Sequence, residues 1–214
     1  SLGVSLTALE QSKWFQTDPG PSSYRTEISG YRDKIASALI YLKQRRELLK
    51  EADQNAPNRL LFDALAFYAL GQYLEDSEAV DIGMSFAGEA LALQHPDEGY
   101  FIENGGWDSS YNGVATMLGF ELYTLLPADV DHEMKNRLEK AVVEAACWQI
   151  SRISEEGEIS TEGNTRVYPG GEHFLGSEKT VDVEKTVRAL FYFSGLTGKQ
   201  KYSELAGRVM DFYE

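Results

Sequence analysis

Apolar residues recur at helical spacing along most of the chain, in segments separated in turn by short connections and by long loops. In one such segment a single helical stripe, predicted to face inward, is formed by Phe62, Leu65, Ala66, Ala69, Leu70 and Tyr73. This periodicity predicts an all-α fold. The predicted helices cover residues 28–52, 57–74, 77–93, 109–126, 131–153, 181–196 and 199–214.

The predicted helices from residue 57 onward group into antiparallel hairpins that resemble one another weakly. Similar aromatic stretches occur at 67–71, 117–123 and 190–195. A short turn follows each stretch, and each hairpin has roughly 40 residues, as in other helical repeats. The long loops, 94–108 and 154–178, lie between hairpins, so in a parallel stack they share one end of the structure. We expect a site at that end, because binding residues concentrate on loops held by a rigid scaffold.

The same pattern divides the chain into an N-terminal extension over residues 1–27 and a single helical-hairpin domain over 28–214. The extension carries Trp14 and Phe15 next to a turn-rich stretch, so we predict that it packs onto the body of the domain. In the second long loop, residues 159–168 have some strand character, which predicts a short β-hairpin within 154–178.

The chain is acidic, with 34 Asp and Glu against 20 Lys and Arg and a formal net charge of −14. A field of that sign opposes nucleic acid and anionic membrane surfaces. No apolar run reaches the roughly 20 residues of a membrane span. We therefore expect neither a nucleic-acid nor a membrane partner. Cys147 is the single cysteine, and its helical setting predicts a small core residue. Composition sets neither the oligomeric state nor the compartment.

The stretch 103–113 differs from the helical pattern on both sides of it. Two adjacent glycines allow backbone to approach backbone or ligand closely. Asp108 or Ser109 is placed to be the N-cap of the next helix. Trp107 and Tyr111 then stand at a helix mouth beside polar groups, which suits the recognition of a sugar.

Three segments carry a resemblance to a known architecture: GGWDSSYN at 105–112, WQISRISEEG at 148–157 and STEGNTR at 160–166. They resemble the α/α-toroid (helical hairpin barrel) of polysaccharide lyases and several glycoside hydrolase families, over most of residues 58–214. A six-hairpin toroid takes roughly twice this length, so the resemblance implies an incomplete toroid. It also implies a bacterial protein acting on carbohydrate in a secreted or periplasmic location.

If the chain is a lyase, it must remove the proton next to a uronate carboxylate and stabilise the enolate that develops. Tyr111, Asn112, Arg166 and His173 are the right residue types, in the loops expected at one end. Asn112 and Arg166 would neutralise the carboxylate, and Tyr111 or His173 would move the proton. The alternative is structural: Tyr111 is a core residue, Asn112 a first-turn polar residue and Arg166 the partner of a nearby acid.

If the chain is a hydrolase, two carboxylates must flank the glycosidic bond. The candidates are Glu103, Asp108, Glu162 and Glu172. Asp108 is the best placed, because it lies at a helix start that faces the end of the structure where the two long loops are expected, the loop end. Its alternative role is that of a helix cap.

Substrate binding is predicted for aromatic and polar residues of the same two loops. A platform for sugar rings would be formed by Trp107, Tyr100, Phe101 and Tyr168, and the alternative is that these residues cover the end of the core. Glu103 and Asn164 complete the predicted substrate-binding set. The three histidines are far apart and have no ligand spacing, so we expect no metal, and no cofactor fingerprint is present.

Two functions of different classes follow from the sequence. The first is a polysaccharide-degrading enzyme, lyase or glycoside hydrolase, with its site in loops 94–113 and 154–178 and an oligo- or polysaccharide as its partner. The second is a non-catalytic helical module that binds a glycan or a protein. In the enzyme, Asp108, Arg166 and His173 should converge in a cleft, whereas the module should offer aromatic rings on a shallow surface.

Overall fold

The computed structural model describes residues 22–127 and 132–214, together with residues 5, 6, 8, 9 and 12. The predicted extension over 1–27, including Trp14 and Phe15, lies largely outside these residues. Of its described part, Leu6 is buried against Ile35 and Tyr73. The division into an extension and one domain stays a prediction.

The described chain is all-α apart from one small sheet. Its helices are α1 (Ser22–Gln44), α2 (Arg46–Asp53), α3 (Pro57–Leu74), α4 (Ser77–Ala92), α5 (Ser109–Leu125), α6 (His132–Ser151), α7 (Val183–Thr197) and α8 (Lys201–Tyr213). The sheet is a two-stranded antiparallel hairpin of β1 (His173–Phe174) and β2 (Ser177–Glu178). Within these ranges no helix is both long and apolar enough to cross a bilayer.

Helices α3, α5 and α7 form a row in which α5 packs against both neighbours. Each is followed by a helix that packs back against it: α4 on α3, α6 on α5 and α8 on α7. The core between them is apolar and fully buried, and it includes Leu61, Phe67, Phe120, Leu122 and Leu138. The loops 93–108 and 152–182 both lead into helices of the row, which places the starts of α5 and α7 together.

Carboxylate caps begin three of these helices. Asp76 accepts a hydrogen bond from the Ala79 amide, Asp108 from the amides of the first turn of α5, and Asp182 from the Lys185 amide. The sequence had left Asp108 or Ser109 open as the cap of α5, and the carboxylate takes that position. An Asp is effective here because it satisfies the orphan amides and complements the positive helix end.

Several details differ from the sequence prediction. The first predicted helix is divided at Arg45, which has non-helical φ and ψ angles of −112° and 9°. A β-hairpin is present in the second loop, but its strands lie at 173–178 rather than within 159–168. Phe62 lies on α3 at a predicted inward position yet is 56% exposed, and Cys147, predicted to be a core residue, is exposed. Both misses arise because periodicity finds a helix but not which side its neighbours cover.

Candidate functional site

The Asp108 carboxylate joins the two long loops. Oδ1 accepts hydrogen bonds from the Ser110 and Tyr111 amides, both at 3.1 Å. Oδ2 accepts from the Arg166 amide at 3.0 Å and the Val167 amide at 2.8 Å. Asp108 is completely buried. Its oxygens are therefore occupied by backbone, and the residue holds the start of α5 and the second loop in one geometry.

Two buried amide side chains support the same junction. The Asn164 Oδ1 accepts from the Ser109 amide at 2.9 Å, and its Nδ2 donates to the Ser109 hydroxyl and the Val167 carbonyl. The Asn112 Oδ1 accepts from the Phe101 amide at 3.1 Å, and its Nδ2 donates to the Ala145 carbonyl and to Gln149. Neither amide faces solvent. The contacts of Asn112 and Asn164 are thus those of architectural residues.

An ion cluster lies beside this junction, centred on the Arg166 guanidinium. One nitrogen of Arg166 lies 2.5 Å from Oε1 of Glu103, and another lies 2.7 Å from Oε1 of Glu172. Glu103 is 1% exposed, whereas the side chains of Arg166 and Glu172 are 28% and 26% exposed. The cluster therefore has a closed side at Glu103 and an open side at Glu172.

Tyr111 connects the cluster to a lysine. Its hydroxyl donates to Oε2 of Glu172 at 2.9 Å and accepts from the Lys179 ammonium. The Arg166 and Lys179 cations also lie 4.2 Å and 4.1 Å from the centre of the Tyr111 ring. Such positions favour a cation electrostatically, because the ring face carries partial negative charge. Tyr111 is thus a phenol held between two cations and one carboxylate.

The cluster shifts the protonation of its members in different directions. Burial raises the pKa of Glu103, and the neighbouring Arg166 only partly opposes this. For Glu172 burial acts in the same sense, but hydrogen bonds from Tyr111 and Arg166 outweigh it and the pKa is lowered. Burial, followed by the hydrogen bond to Glu172, raises the pKa of Tyr111. At neutral pH in this arrangement Tyr111 is therefore a phenol and Glu172 a carboxylate.

An aromatic group covers the other side of the first loop. The Tyr100 ring is buried and lies 6.0 Å from Trp107, 5.2 Å from Trp148 and 4.8 Å from His95, between ring centres. The Trp107 indole is half-buried and directs its N–H toward the Glu162 carbonyl at 3.4 Å. Tyr100 therefore packs as a covering residue, while Trp107 keeps part of its surface at the loop end.

A cleft of about 760 Å³ opens along the second loop. Arg152, Glu162, Asn164 and Tyr168 are among its lining residues. Tyr168 is exposed, and the Arg152 guanidinium donates to the Glu162 carbonyl. The cleft has the size of a small-ligand site, with one aromatic ring and several polar groups along its walls.

His173 lies on β1, outside the ion cluster. Its side chain is exposed, and its Nδ1 is 3.0 Å from the Gly171 carbonyl oxygen. The cleft expected to join Asp108, Arg166 and His173 therefore does not form as predicted. Asp108 is buried among amides, and His173 faces solvent on the hairpin. Of the predicted residues, the structure brings together Tyr111, Arg166, Glu103 and Glu172.

Sequence reasoning missed one member of the cluster and undervalued another. Lys179 was not singled out, and Glu172 was named only as a hydrolase candidate. The available signal was the spacing of Arg166, Glu172 and Lys179 around the Gly170–Gly171 pair, which predicts a turn that folds their side chains together. Over residues 22–127 and 132–214, no group of three or more His, Cys, Asp and Glu side chains is placed to hold a metal ion.

Comparison with known proteins gives no relative from which a function could be transferred. No protein-family model matches the chain, and neither a curated protein nor a solved structure matches it significantly. The functional argument therefore depends on the site itself.

Proposed function

We propose that this chain is a carbohydrate-active protein of the incomplete α/α-toroid type, which cleaves an oligo- or polysaccharide at the loop end by β-elimination. The observation that carries the proposal is the setting of Tyr111, whose hydroxyl contacts Lys179 and Glu172 while Arg166 lies over its ring. A lyase needs a proton-transfer group beside cations that neutralise a carboxylate. Tyr111, Arg166 and Lys179 supply these functions in one partly open cluster.

In the proposed reaction Arg166 and Lys179 bind the uronate carboxylate. Tyr111 first loses its phenolic proton to solvent, and the resulting phenolate removes the proton on the carbon next to that carboxylate. The bond between the adjacent ring carbon and the glycosidic oxygen breaks as the carbon–carbon double bond forms. The Tyr111 phenol then returns the proton to the leaving oxygen, so one group serves both steps.

The experiment is a screen of the purified protein against acidic and neutral polysaccharides, read by absorbance of unsaturated uronates and by released reducing ends. We expect both signals to rise on a uronate polymer. Tyr111→Phe should lower the rate about a hundredfold or more. Tyr123→Phe is the matched control, because Tyr123 lies on the same helix and its hydroxyl donates to Glu139 at 2.9 Å, away from the cluster.

A second candidate function is a glycan-binding module without catalysis. It is favoured by the cleft along the second loop, where exposed Tyr168 stands beside polar groups. If the folded protein releases no product from any polymer but binds one of them, and Tyr168→Ala abolishes that binding, the binding module would replace the lyase proposal. Reducing ends without unsaturated products would instead establish hydrolysis, with Glu172 as the accessible carboxylate of the cluster.

A further inference from the structure

Glu172 is the point on which the donors of the ion cluster converge. Arg166 contacts Oε1 at 2.7 Å, the Tyr111 hydroxyl donates to Oε2 at 2.9 Å, and Lys179 lies 3.8 Å from Oε2. Both oxygens of one carboxylate are thus contacted by a guanidinium, a phenol and an ammonium. This is the donor set by which proteins recognise a carboxylate ligand.

Two of these donors, Arg166 and Tyr111, are held in place without Glu172. Arg166 is fixed from the closed side by Glu103, and its amide is bound to the buried Asp108. Tyr111 belongs to the first turn of α5, whose amides bind the same carboxylate. Glu103 is 1% exposed and contacts Arg166 from the side away from Glu172, so this contact does not depend on the open side of the cluster. The carboxylate-binding position formed by Arg166, Lys179 and Tyr111, the seat, would therefore persist if the Glu172 carboxylate left it.

The Glu172 side chain, in contrast, can leave without unfolding anything. Its backbone is held by bonds from its amide to the Arg166 carbonyl and from the Lys179 amide to its own carbonyl. Among the described residues, only side chains hold its carboxylate, on the solvent side of the cluster. A rotation of the side chain alone would empty the seat.

We infer that Glu172 occupies, in the unliganded protein, the seat of a sugar carboxylate, and that an acidic saccharide binds by displacing it from Arg166, Lys179 and Tyr111. This inference rests on the proposed function, because it specifies the sugar class as a uronate. Charge supports it: Arg166 and Lys179 balance Glu103 and Glu172, so exchanging one carboxylate for another keeps the balance. A neutral sugar would leave two cations with one anion.

Glu172 also influences the protonation of Tyr111. When Glu172 is replaced by a residue without a carboxylate, the phenol loses its acceptor but keeps both cations near its ring. Nearby positive charge favours the phenolate. Burial and, after it, the hydrogen bond to Glu172 raise the pKa of Tyr111 in the unliganded protein, so loss of the Glu172 carboxylate should lower that pKa.

The test uses Glu172→Ala and Glu172→Gln in the full chain, with thermal melting to verify that each variant is folded. Trisaccharides of galacturonate, glucuronate and mannuronate are titrated calorimetrically, each as the free acid and as the methyl ester. We expect Glu172→Ala to bind one free acid about tenfold more tightly than the unaltered protein, with no gain for its ester. Glu172→Gln, which retains a weaker acceptor, should give a smaller gain.

A spectrophotometric titration of the tyrosines provides a readout that needs no sugar. Glu172→Ala should show one tyrosine that ionises at lower pH than in the unaltered protein, and Tyr111→Phe in the same background should remove that change. Acid and ester binding equally in all variants would overturn the inference while leaving carbohydrate binding intact. No binding of any trisaccharide would overturn the inference together with the proposed function. An unchanged tyrosine titration in Glu172→Ala would also contradict it.

Discussion

Two carboxylates contact Tyr111 from opposite sides, and their surroundings differ in kind. Asp108 accepts from the Tyr111 amide, is completely buried and is saturated by four backbone N–H groups. Glu172 accepts from the Tyr111 hydroxyl, is partly exposed and is held by side chains alone. The first carboxylate fixes the backbone of two loops, whereas the second occupies a position that a ligand can take.

The difference follows from what would replace each carboxylate if it were removed. The amides around Asp108 bond to a fully buried carboxylate, so they would be left without partners, which is expensive. The donors around Glu172 lie near solvent and can be hydrated. We therefore expect changes at Asp108 to act on the free energy of unfolding and changes at Glu172 to act on binding. The following predictions test this division, from the largest expected effect to the smallest.

Asp108→Ala should have the largest effect, lowering the free energy of unfolding by about 4 kcal/mol, because it removes a helix cap and two bonds that join the loops. Urea denaturation measures this. Asp108→Asn is the informative control: its oxygen can still cap α5, but its NH₂ group would face the Arg166 and Val167 amides. The free energy of unfolding of Asp108→Asn should therefore fall by about half as much as that of Asp108→Ala. Equal losses would show that the join between the loops contributes nothing.

Arg166→Met should lower the free energy of unfolding by about 3 kcal/mol at neutral pH, because it leaves Glu103 buried without its cation. Adding Glu103→Gln should restore much of the loss. The pKa of Glu103 is already raised in the unaltered protein, so its proton is bound more tightly in the folded state. The free energy of unfolding of Arg166→Met should therefore be closest to that of the unaltered protein at acidic pH, and the difference should grow as pH rises. A loss independent of pH would contradict this account.

Asp63 on α3 provides a carboxylate outside the loop end for comparison. Burial, followed by repulsion from Asp53, raises its pKa from 3.8 to about 7. Because the folded state binds the proton more tightly, its stabilising contribution is full below pH 3.8 and is lost as pH rises to about 7. Allowing for screening by solvent, the free energy of unfolding should fall by about 1–2 kcal/mol as pH rises from 3.8 to about 7, and Asp63→Asn should remove this fall. Denaturation at several pH values measures it, and an unchanged pH profile would refute the shift.

Glu172→Gln should have the smallest effect on stability, about 0.5 kcal/mol, because the carboxylate is partly exposed and its partners can be hydrated. The pKa of Glu172 is lowered in the folded state, so its contribution is present above its ordinary value of 4.5 and is lost as pH falls through the lowered pKa. The variant should therefore match the unaltered protein at low pH. A loss as large as that of Asp108→Ala would erase the distinction between the two carboxylates.

Much of the scaffold can be predicted from the sequence because its signals are local. Apolar periodicity defines the helices, and the polar residues immediately before an apolar helix predict a cap at position 108 or 109. Exposure of Phe62 could not be predicted, since it depends on which neighbours cover α3. The cap's second role could not be predicted either, because the Arg166 and Val167 amides that bind Asp108 lie more than fifty residues further along the chain.

The candidate site was harder to predict because residue type does not reveal what a side chain contacts. Asn112 and Asn164 have amides suited to a substrate, but these amides bind backbone within the core. His173 has suitable chemistry, but the hairpin carries it into solvent. Arg166 and Tyr111 were placed in loops expected at one end of the structure, and the two side chains are in contact. Lys179 was missed because residue spacing does not show that the β-hairpin returns it to Tyr111.

The most direct measurement of the central claim is the rate at which unsaturated uronate products appear from an acidic polymer, compared for the unaltered protein, Tyr111→Phe and Tyr123→Phe. Each substitution removes one hydroxyl that donates to a glutamate from α5. The account predicts that Tyr123→Phe retains the rate and that Tyr111→Phe lowers it about a hundredfold or more. Equal rates in all three proteins, or no product from any of them, would contradict it.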